Sequence, residues 1–160
     1  MKLYILRHGI AEDAAIGQSD ESRKLTEEGR QKTRRVMQRA LEAGVRPDVI
    51  LSSPYPRALA TAEIAKHELH FADALVETVH LVPYANVFEL WEEIRNYPHA
   101  GELMVVGHNP LLSDLATWLV GGRAGAIVMK KAALAAIEIP NPSPQPRGSL
   151  TWLLTPKSVG

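Results

Sequence analysis

The sequence predicts an α/β protein in which helices cover both faces of a mostly parallel sheet. Three short apolar runs, at residues 2–6, 48–51 and 103–106, have no polar interruption and are typical of strands buried on both faces. Each run is followed by a stretch with helical spacing of its apolar residues. Because 160 residues suffice for about one ordinary core, we predict a single domain over residues 1–160, built as a three-layer α/β/α sandwich.

The composition excludes several classes of function. Hydrophobic residues make up 46% and charged residues 22%, which is typical of a soluble globular protein. The chain has 18 basic and 18 acidic residues, so no overall field favours nucleic acid or an anionic membrane. The absence of cysteine excludes thiolate metal sites and a cysteine nucleophile. With no export signal and no apolar run of about 20 residues, we expect a cytoplasmic protein.

The first predicted helix begins after Thr26. Threonine is a good N-cap, and the two glutamates that follow it suit the positive end of the helix dipole. Apolar residues recur at helical spacing from Val36 to Leu41, and the helix is expected to end near Gly44.

The second and third strands each lead into a helix. The turn at residues 52–56 closes the second strand, and Arg57 opens an alanine-rich helix that reaches about Leu69. A separate helix is predicted over residues 89–95. After the third strand, a helical stripe of apolar residues runs over residues 111–119.

The end of the chain has a different pattern. Strand-like runs at residues 132–139 and 149–154 flank the proline-rich segment 140–146. This arrangement predicts a β-hairpin with a stiff surface loop.

Basic and histidine side chains follow the carboxyl ends of all three predicted core strands. In open α/β sheets, ligands bind just beyond those strand ends. Arg7 and His8 follow the first strand, Arg57 follows the turn after the second, and His108 follows the third. One topology would bring these four residues together at the same edge of the sheet.

The four residues suit phosphoryl chemistry. The planar arginine fork matches phosphate oxygens, and neutral imidazole is a nucleophile that is well populated near pH 7. A second histidine, protonated beside the phosphate, can donate a hydrogen bond to it. No carboxylate or further histidine lies beside His8 or His108 in the sequence, so we predict neither a metal nor a cofactor.

These motifs resemble a known family. The tripeptide at residues 7–9 resembles the signature of the histidine phosphatase superfamily, whose fold is that of phosphoglycerate mutase. Residues 23–29, 52–58 and 107–110 resemble the other blocks of that family, in the same order. The short length and the ending at residues 148–152 are similar to the SixA-type phosphohistidine phosphatases. The resemblance therefore implies a phosphoglycerate-mutase-like fold over the whole chain.

The resemblance also implies roles for individual residues. It makes His8 the nucleophile that accepts the phosphoryl group, with Arg7 and Arg57 binding that group and His108 donating a hydrogen bond to it. The implied reaction has two steps, because water then attacks the phosphohistidine enzyme and releases inorganic phosphate. Arg23, on the approach to the first helix, is a candidate for the rim of the site.

The chemistry of the leaving group bears on the substrate. An ester must expel an alkoxide and needs an acid donor, whereas imidazole has a pKa near 6.5 and leaves readily once protonated. The candidate donors are Glu77 and His80, although residues 75–83 do not match the mutase-type donor motif cleanly.

The short chain leaves little for a lid, and an open pocket suits a phosphoryl group carried by a protein. We therefore predict a metal-independent phosphatase that acts on phosphohistidine in a protein partner of a phosphorelay or phosphotransfer system. Two alternatives remain. One is a phosphatase of small phosphomonoesters with the same mechanism, and the other is a phosphate-binding module without turnover.

Overall fold

The structure, a computed structural model, describes residues 1–160 and confirms the predicted α/β architecture. In chain order the strands are β1 (Lys2–Arg7), β2 (Val49–Ser52), β3 (Val76–Glu77), β4 (Glu102–Gly107), β5 (Leu134–Glu138) and β6 (Ser149–Leu154). They form one sheet in the order β3-β2-β4-β1-β5-β6. The first four strands in that order are parallel, and β5 and β6 add the predicted antiparallel hairpin.

Four helices cover the sheet on its two faces. They are α1 (Glu27–Glu42), α2 (Pro56–Glu68), α3 (Val87–Arg95) and α4 (Leu111–Leu119). One buried cluster joins α3 and α4 to alternate residues of the central strands, among them Ile5 and Val105. The second joins α1 and α2 to the neighbouring residues Leu6 and Val106. Because successive side chains of a strand point to opposite faces, each central strand is buried on both.

The register of the central strands makes them end together. Arg7 of β1 lies opposite Gly107 of β4, while Ser52 of β2 lies opposite Val106. The chain stays paired for one further residue, since the backbone N–H of His8 donates to the Gly107 carbonyl oxygen at 2.9 Å. The residues after the three strands therefore meet at one edge, which we call the site edge.

Two glycines bring the segment after β1 into direct contact with α1. A Cβ atom at Gly9 would lie 2.7 Å from the Thr33 hydroxyl oxygen, and one at Gly29 would overlap the backbone of Ile10. The helix begins as predicted, because the Thr26 side chain accepts a hydrogen bond from the Gly29 N–H at 2.9 Å. This close packing fixes the backbone beside His8.

Some elements differ from the prediction. The two-residue strand β3 and the short 3₁₀ turns Asp20–Ser22 and Val79–Leu81 were not predicted. Strand β5 begins two residues later than expected, because Ala132 has a φ of 59° and leaves the extended conformation.

The proline-rich loop lies against α3. The indole N–H of Trp91 donates to the Ser143 carbonyl oxygen, and Arg95 Nε donates to the Pro142 carbonyl oxygen, both at 2.9 Å. Glu138, at the end of β5, pairs with Lys2 at the start of β1. The loop therefore lies at the edge opposite the site edge, which we call the far edge.

None of the helices combines the length and the apolar character that crossing a lipid bilayer requires. A cytoplasmic location stays a prediction from the sequence.

Candidate active site

The structure brings Arg7, His8, Arg57 and His108 together at the site edge. The ring centroids of the two histidines are 5.0 Å apart, and all but 6% of His8 and 1% of His108 is buried. Arg57, in the first turn of α2, is also buried. The positive charges of Arg57 and Arg7 both contribute to the electrostatics of the His8 ring.

A backbone carbonyl selects the tautomer of His8. Its Nδ1 lies 2.7 Å from the carbonyl oxygen of Gly9, which can only accept a hydrogen bond. Nδ1 must therefore carry the proton, and the lone pair of the neutral ring resides on Nε2.

Burial keeps the His8 ring uncharged. Desolvation, aided by the charges of Arg57, Arg7 and Lys131, lowers the pKa of His8 to about 4. The hydrogen bond to Gly9 acts in the opposite direction and is outweighed. At neutral pH the Nε2 lone pair is consequently available for nucleophilic attack.

A serine hydroxyl orients His108. Its Nε2 lies 2.8 Å from the hydroxyl oxygen of Ser53, the first residue after β2. Burial, followed by the neighbouring His8 and Arg57, lowers the pKa of His108 to about 3. The Ser53 hydroxyl also accepts from the Tyr55 N–H at 3.2 Å, and when it donates to Nε2 of the neutral ring, the ring proton is on Nδ1.

The two arginines are held by oxygen acceptors outside the strands. Arg7 donates from Nη1 to the Met129 carbonyl oxygen at 2.9 Å. Arg57 donates from Nη1 to the Asp20 carbonyl oxygen at 2.7 Å and from Nη2 to the Asp20 carboxylate at 3.0 Å. Desolvation lowers the pKa of Arg7, but an arginine keeps its charge throughout the physiological range.

Arg23 reaches the site through the same aspartate. Its Nη1 donates to the Asp20 carboxylate at 2.9 Å, and its Nε donates to the Glu12 carbonyl oxygen. Hydrogen bonds from Arg23 and Arg57 hold the pKa of Asp20 below its usual range. Arg23 thus links Glu12 to the aspartate that contacts Arg57, and its place at the rim of the site stays a prediction.

The sequence-predicted donors form no hydrogen bond with this cluster. Glu77 is exposed on β3, opposite Ser52. His80 Nδ1 lies 2.7 Å from the carboxylate of Glu93 on α3, and neither residue forms a hydrogen bond with the two histidines or two arginines. Glu77 nevertheless lies at the site edge, since Ser52 directly precedes Ser53. The role of either residue as a proton donor stays a prediction.

Unpaired polar atoms are concentrated in the cluster. Across the whole chain, three buried side-chain nitrogen or oxygen atoms have no hydrogen-bond partner, and they are Arg7 Nε, Arg57 Nε and His108 Nδ1. Buried donors are nearly always paired in folded proteins, and exceptions call for an explanation. Here all three belong to residues chosen from the sequence as phosphoryl-binding groups.

Several contributors were missed by sequence reasoning. Asp20 gave no signal, because an acidic residue in a polar loop is usually solvated. The Met129 carbonyl acts through its backbone, so its side chain carries no information about the contact. Ser53 offered a usable signal, since it directly follows a buried strand, as His8 does. The chain brings together no group of three His, Asp or Glu side chains placed to hold a metal ion.

The two histidines and two arginines at the carboxyl ends of the parallel strands of a three-layer α/β/α fold form an arrangement whose chemistry suits a phosphoryl group. Residues 3–81 match the family model of the histidine phosphatase superfamily (branch 1). An uncharacterized protein of Picosynechococcus sp. is 35% identical over 144 residues, which cover 86% of this chain and 84% of that protein. The chain belongs to the histidine phosphatase superfamily.

Solved structures support the same assignment. The protein histidine phosphatase SixA, solved with tungstate, superposes with a TM-score of 0.89 and 25% identity, covering 100% of both chains. The alpha-ribazole phosphatase of Shigella flexneri has a TM-score of 0.76 at 17% identity, over 98% of this chain and 97% of its own, and shows the shared fold alone. The phosphoglycerate-mutase-like fold expected from the sequence is therefore confirmed.

Proposed function

We propose that the protein is a phosphohistidine phosphatase that removes the phosphoryl group from a histidine of a protein partner. The observation that carries the proposal is the set of three unpaired buried nitrogens on Arg7, Arg57 and His108, beside the neutral ring of His8. A phosphoryl group has oxygens for all three donors. The likeness to the protein histidine phosphatase SixA supports this substrate class.

In the first step the Nε2 lone pair of His8 attacks phosphorus. The new N–P bond forms as the bond from phosphorus to the substrate imidazole breaks, and that imidazole leaves with a proton taken up from water. Arg7, Arg57 and His108 stabilise the charge on the phosphoryl oxygens as it shifts between the two nitrogens.

In the second step water attacks the phosphoryl group on His8. With phosphorus on Nε2 and a proton on Nδ1, the ring is cationic, and the Gly9 carbonyl oxygen 2.7 Å from Nδ1 stabilises that charge. The cationic ring is a good leaving group, and its departure restores neutral His8. Water supplies a hydroxyl to phosphorus and a proton to solvent, so inorganic phosphate is the product.

The surroundings of the cluster favour a leaving group that departs without protonation by a strong acid. Asp20 is the carboxylate that contacts Arg23 and Arg57. The hydrogen bonds from these two arginines keep Asp20 ionised, so it is a poor proton donor. Glu77 and His80 form no hydrogen bond with the two histidines or the two arginines of the cluster. Imidazole departs without a strong acid, whereas the alkoxide of an ester does not.

Detection of a phosphoenzyme tests this mechanism. The protein would be incubated with a phosphoramidate or a phosphohistidine-bearing protein, and acid-labile phosphate on His8 would be measured together with phosphate release. We expect His8→Asn to lower turnover at least about a thousandfold and to abolish the labelled intermediate. The control is His67→Asn, since His67 is an exposed histidine on α2. Turnover by His8→Asn at the wild-type rate would contradict the mechanism.

A second candidate is hydrolysis of small phosphomonoesters by the same two steps, since the two arginines would bind the phosphoryl group of an ester equally well. Competing assays on phosphohistidine protein, sugar phosphates and an aryl phosphate separate the two. We expect kcat/KM to be at least about a hundredfold higher for phosphohistidine, because no acid is hydrogen-bonded to the cluster, where it could protonate an alkoxide. Preference for a sugar phosphate would establish the second candidate instead.

A binding module without turnover is disfavoured by His8 itself. A module that only binds phosphate needs hydrogen-bond donors, yet the single proton of the neutral His8 ring faces the Gly9 carbonyl oxygen and the ring's other nitrogen, Nε2, carries a lone pair. Phosphate release at catalytic enzyme levels is the deciding measurement, and tight phosphate binding with no release would support the module.

A further inference from the structure

A strongly basic cleft opens beside the proposed active site. It has a volume of about 550 Å³ and shares Arg7 with the site. We call it the lysine cleft, because its other charged lining residues are Lys32, Lys130, Lys131 and Lys157, with no aspartate or glutamate among them. In a chain with no net charge, such a local excess of positive charge is a specific feature.

Three of the four lysines are unpaired. Lys32 forms an ion pair with Glu28 at 2.8 Å, one turn earlier on α1. Lys130, Lys131 and Lys157 have no carboxylate within ion-pairing distance, and all three are exposed. Their charges are therefore free to attract an anionic group from outside the molecule.

The backbone ties the cleft to the nucleophile. The Ala132 N–H donates to the His8 carbonyl oxygen at 3.0 Å, and the Arg7 N–H donates to the Ala133 carbonyl oxygen at 3.1 Å. Ala132 has a φ of 59°, a conformation costly for a residue with a Cβ, and such strain is commonly kept at functional sites. Lys131, the residue before Ala132, adds its positive charge to the causes that lower the pKa of His8.

Lys157 lies in a compact turn after β6. The Ser158 N–H donates to the Thr155 carbonyl oxygen, and the Ser158 hydroxyl oxygen accepts from the Thr155 N–H. Thr155, Pro156 and Lys157 of this turn line the cleft together with the Lys130 segment. Lysines from three separate parts of the chain, with Arg7 from a fourth, therefore line one opening.

We propose that the lysine cleft binds acidic side chains that surround the phosphohistidine on the protein partner. The inference rests on the proposed function, because the phosphoryl group would lie at His8 while the neighbouring surface of the partner lies over the cleft. Lysine ammonium groups are mobile point charges, which suit carboxylates at variable positions better than one fixed second phosphate. The open cleft and the exposed lysines fit a protein surface for the same reason.

A binding measurement tests the cleft independently of turnover. Fluorescence anisotropy would follow a labelled oligoglutamate peptide, with oligoglutamine as the uncharged comparison. We expect wild type to bind oligoglutamate and to lose affinity as salt rises, and Lys131→Gln/Lys157→Gln to bind about fivefold more weakly. The matched control is Lys2→Gln, since Lys2 is half exposed and lies at the far edge.

A turnover measurement then tests the link to the substrate. Two phosphohistidine peptides would be compared, one with acidic and one with amide neighbours. We expect wild type to have a several-fold higher kcat/KM for the acidic peptide, and the double variant to reduce that ratio, with Lys2→Gln retaining it.

The outcomes separate this inference from the proposed function. Equal kcat/KM for the two peptides, or equal oligoglutamate binding by wild type and the double variant, would overturn the cleft inference and leave the phosphatase intact. Oligoglutamate binding that depends on the lysines, without hydrolysis of either peptide, would support the cleft and overturn the phosphatase. Lysine-dependent binding of pyrophosphate but not of oligoglutamate would assign the cleft to a small phosphorylated ligand and overturn the inference.

Discussion

His8 and His108 both lie in surroundings that disfavour the protonated imidazole. Each is buried, each bonds through one ring nitrogen to a neighbouring oxygen, and each has a pKa far below the usual value for histidine. For His8 this leaves an unprotonated nucleophile at neutral pH. The same property makes the stability of the fold sensitive to acid.

Stability is expected to fall as pH drops. Between about pH 6.5 and pH 4 the unfolded chain binds protons at His8 and His108 that the folded chain does not, so stability present above pH 6.5 is progressively lost. Each histidine contributes up to about 1.4 kcal/mol per pH unit. Urea unfolding at pH 7 and pH 5 should show a smaller decline for His8→Gln than for wild type. Equal declines would contradict burial of a neutral His8, and His67→Gln is the exposed control.

Ser53 is expected to act as a positioning residue. Its hydroxyl is the partner of His108 Nε2, so Ser53→Ala leaves the imidazole free to turn and to change tautomer. We expect a loss of roughly ten- to a hundredfold in kcat with a shifted pH profile, while thermal unfolding confirms the fold. Ser52→Ala is the matched control, because the buried Ser52 hydroxyl donates to a backbone oxygen instead. Full activity of Ser53→Ala would contradict this role.

At the scale of elements, the ends of α1 and α2 use the same motif with different residues. After α1, Gly44 has a φ of 87°, and the Val45 N–H donates back to the Ala40 carbonyl oxygen. After α2, His70 has a φ of 55°, with the equivalent hydrogen bond from Phe71. Glycine adopts this conformation without steric cost, whereas histidine does not.

Replacing His70 by glycine is expected to stabilise the protein. His70→Gly removes a Cβ from the left-handed conformation, and we expect about 1 kcal/mol of added stability in thermal unfolding. Gly44→Ala should lower stability by a similar amount for the converse reason. A destabilised His70→Gly would mean that its exposed side chain makes contacts worth more than the strain.

The helices, strands and loops differ in how well the sequence predicts them. Thr26 and Gly44 specify the ends of α1 locally, and the apolar runs specify the core strands, so both were predictable. The clustering of the two histidines and two arginines could be predicted from their positions after the core strands and from the family resemblance. Asp20 and the Met129 carbonyl depend on how distant loops fold back onto the site, which local patterns do not encode. Glu77 and His80 were chosen because the resemblance places a donor within residues 75–83, and their role as donors stays a prediction.

At the scale of the whole molecule, the two edges of the sheet carry different groups. The site edge holds the buried charges and the lysine cleft. The far edge holds the proline-rich loop, which α3 binds through Trp91 and Arg95. Zero net charge for the chain therefore conceals an uneven distribution of charge.

A change at the far edge is expected to affect stability without affecting catalysis. Arg95→Ala removes the hydrogen bond to Pro142, and we expect a loss of about 1 kcal/mol in thermal unfolding. Turnover at a temperature where the variant is folded should equal that of wild type. Arg39→Ala, which loses only an exposed ion pair with Glu42, should change neither quantity. Reduced turnover by folded Arg95→Ala would show that the two edges are coupled.

The pairing of Arg7 with Gly107 also limits where the chain can change in length. A residue inserted into β4 would shift its register against β1 by one position and turn His108 toward the opposite face of the sheet. An extra residue among the exposed positions 121–126 would leave both histidines in place. In a library of single-residue insertions, tolerance should therefore be lowest in the two central strands, even at positions that never touch the substrate.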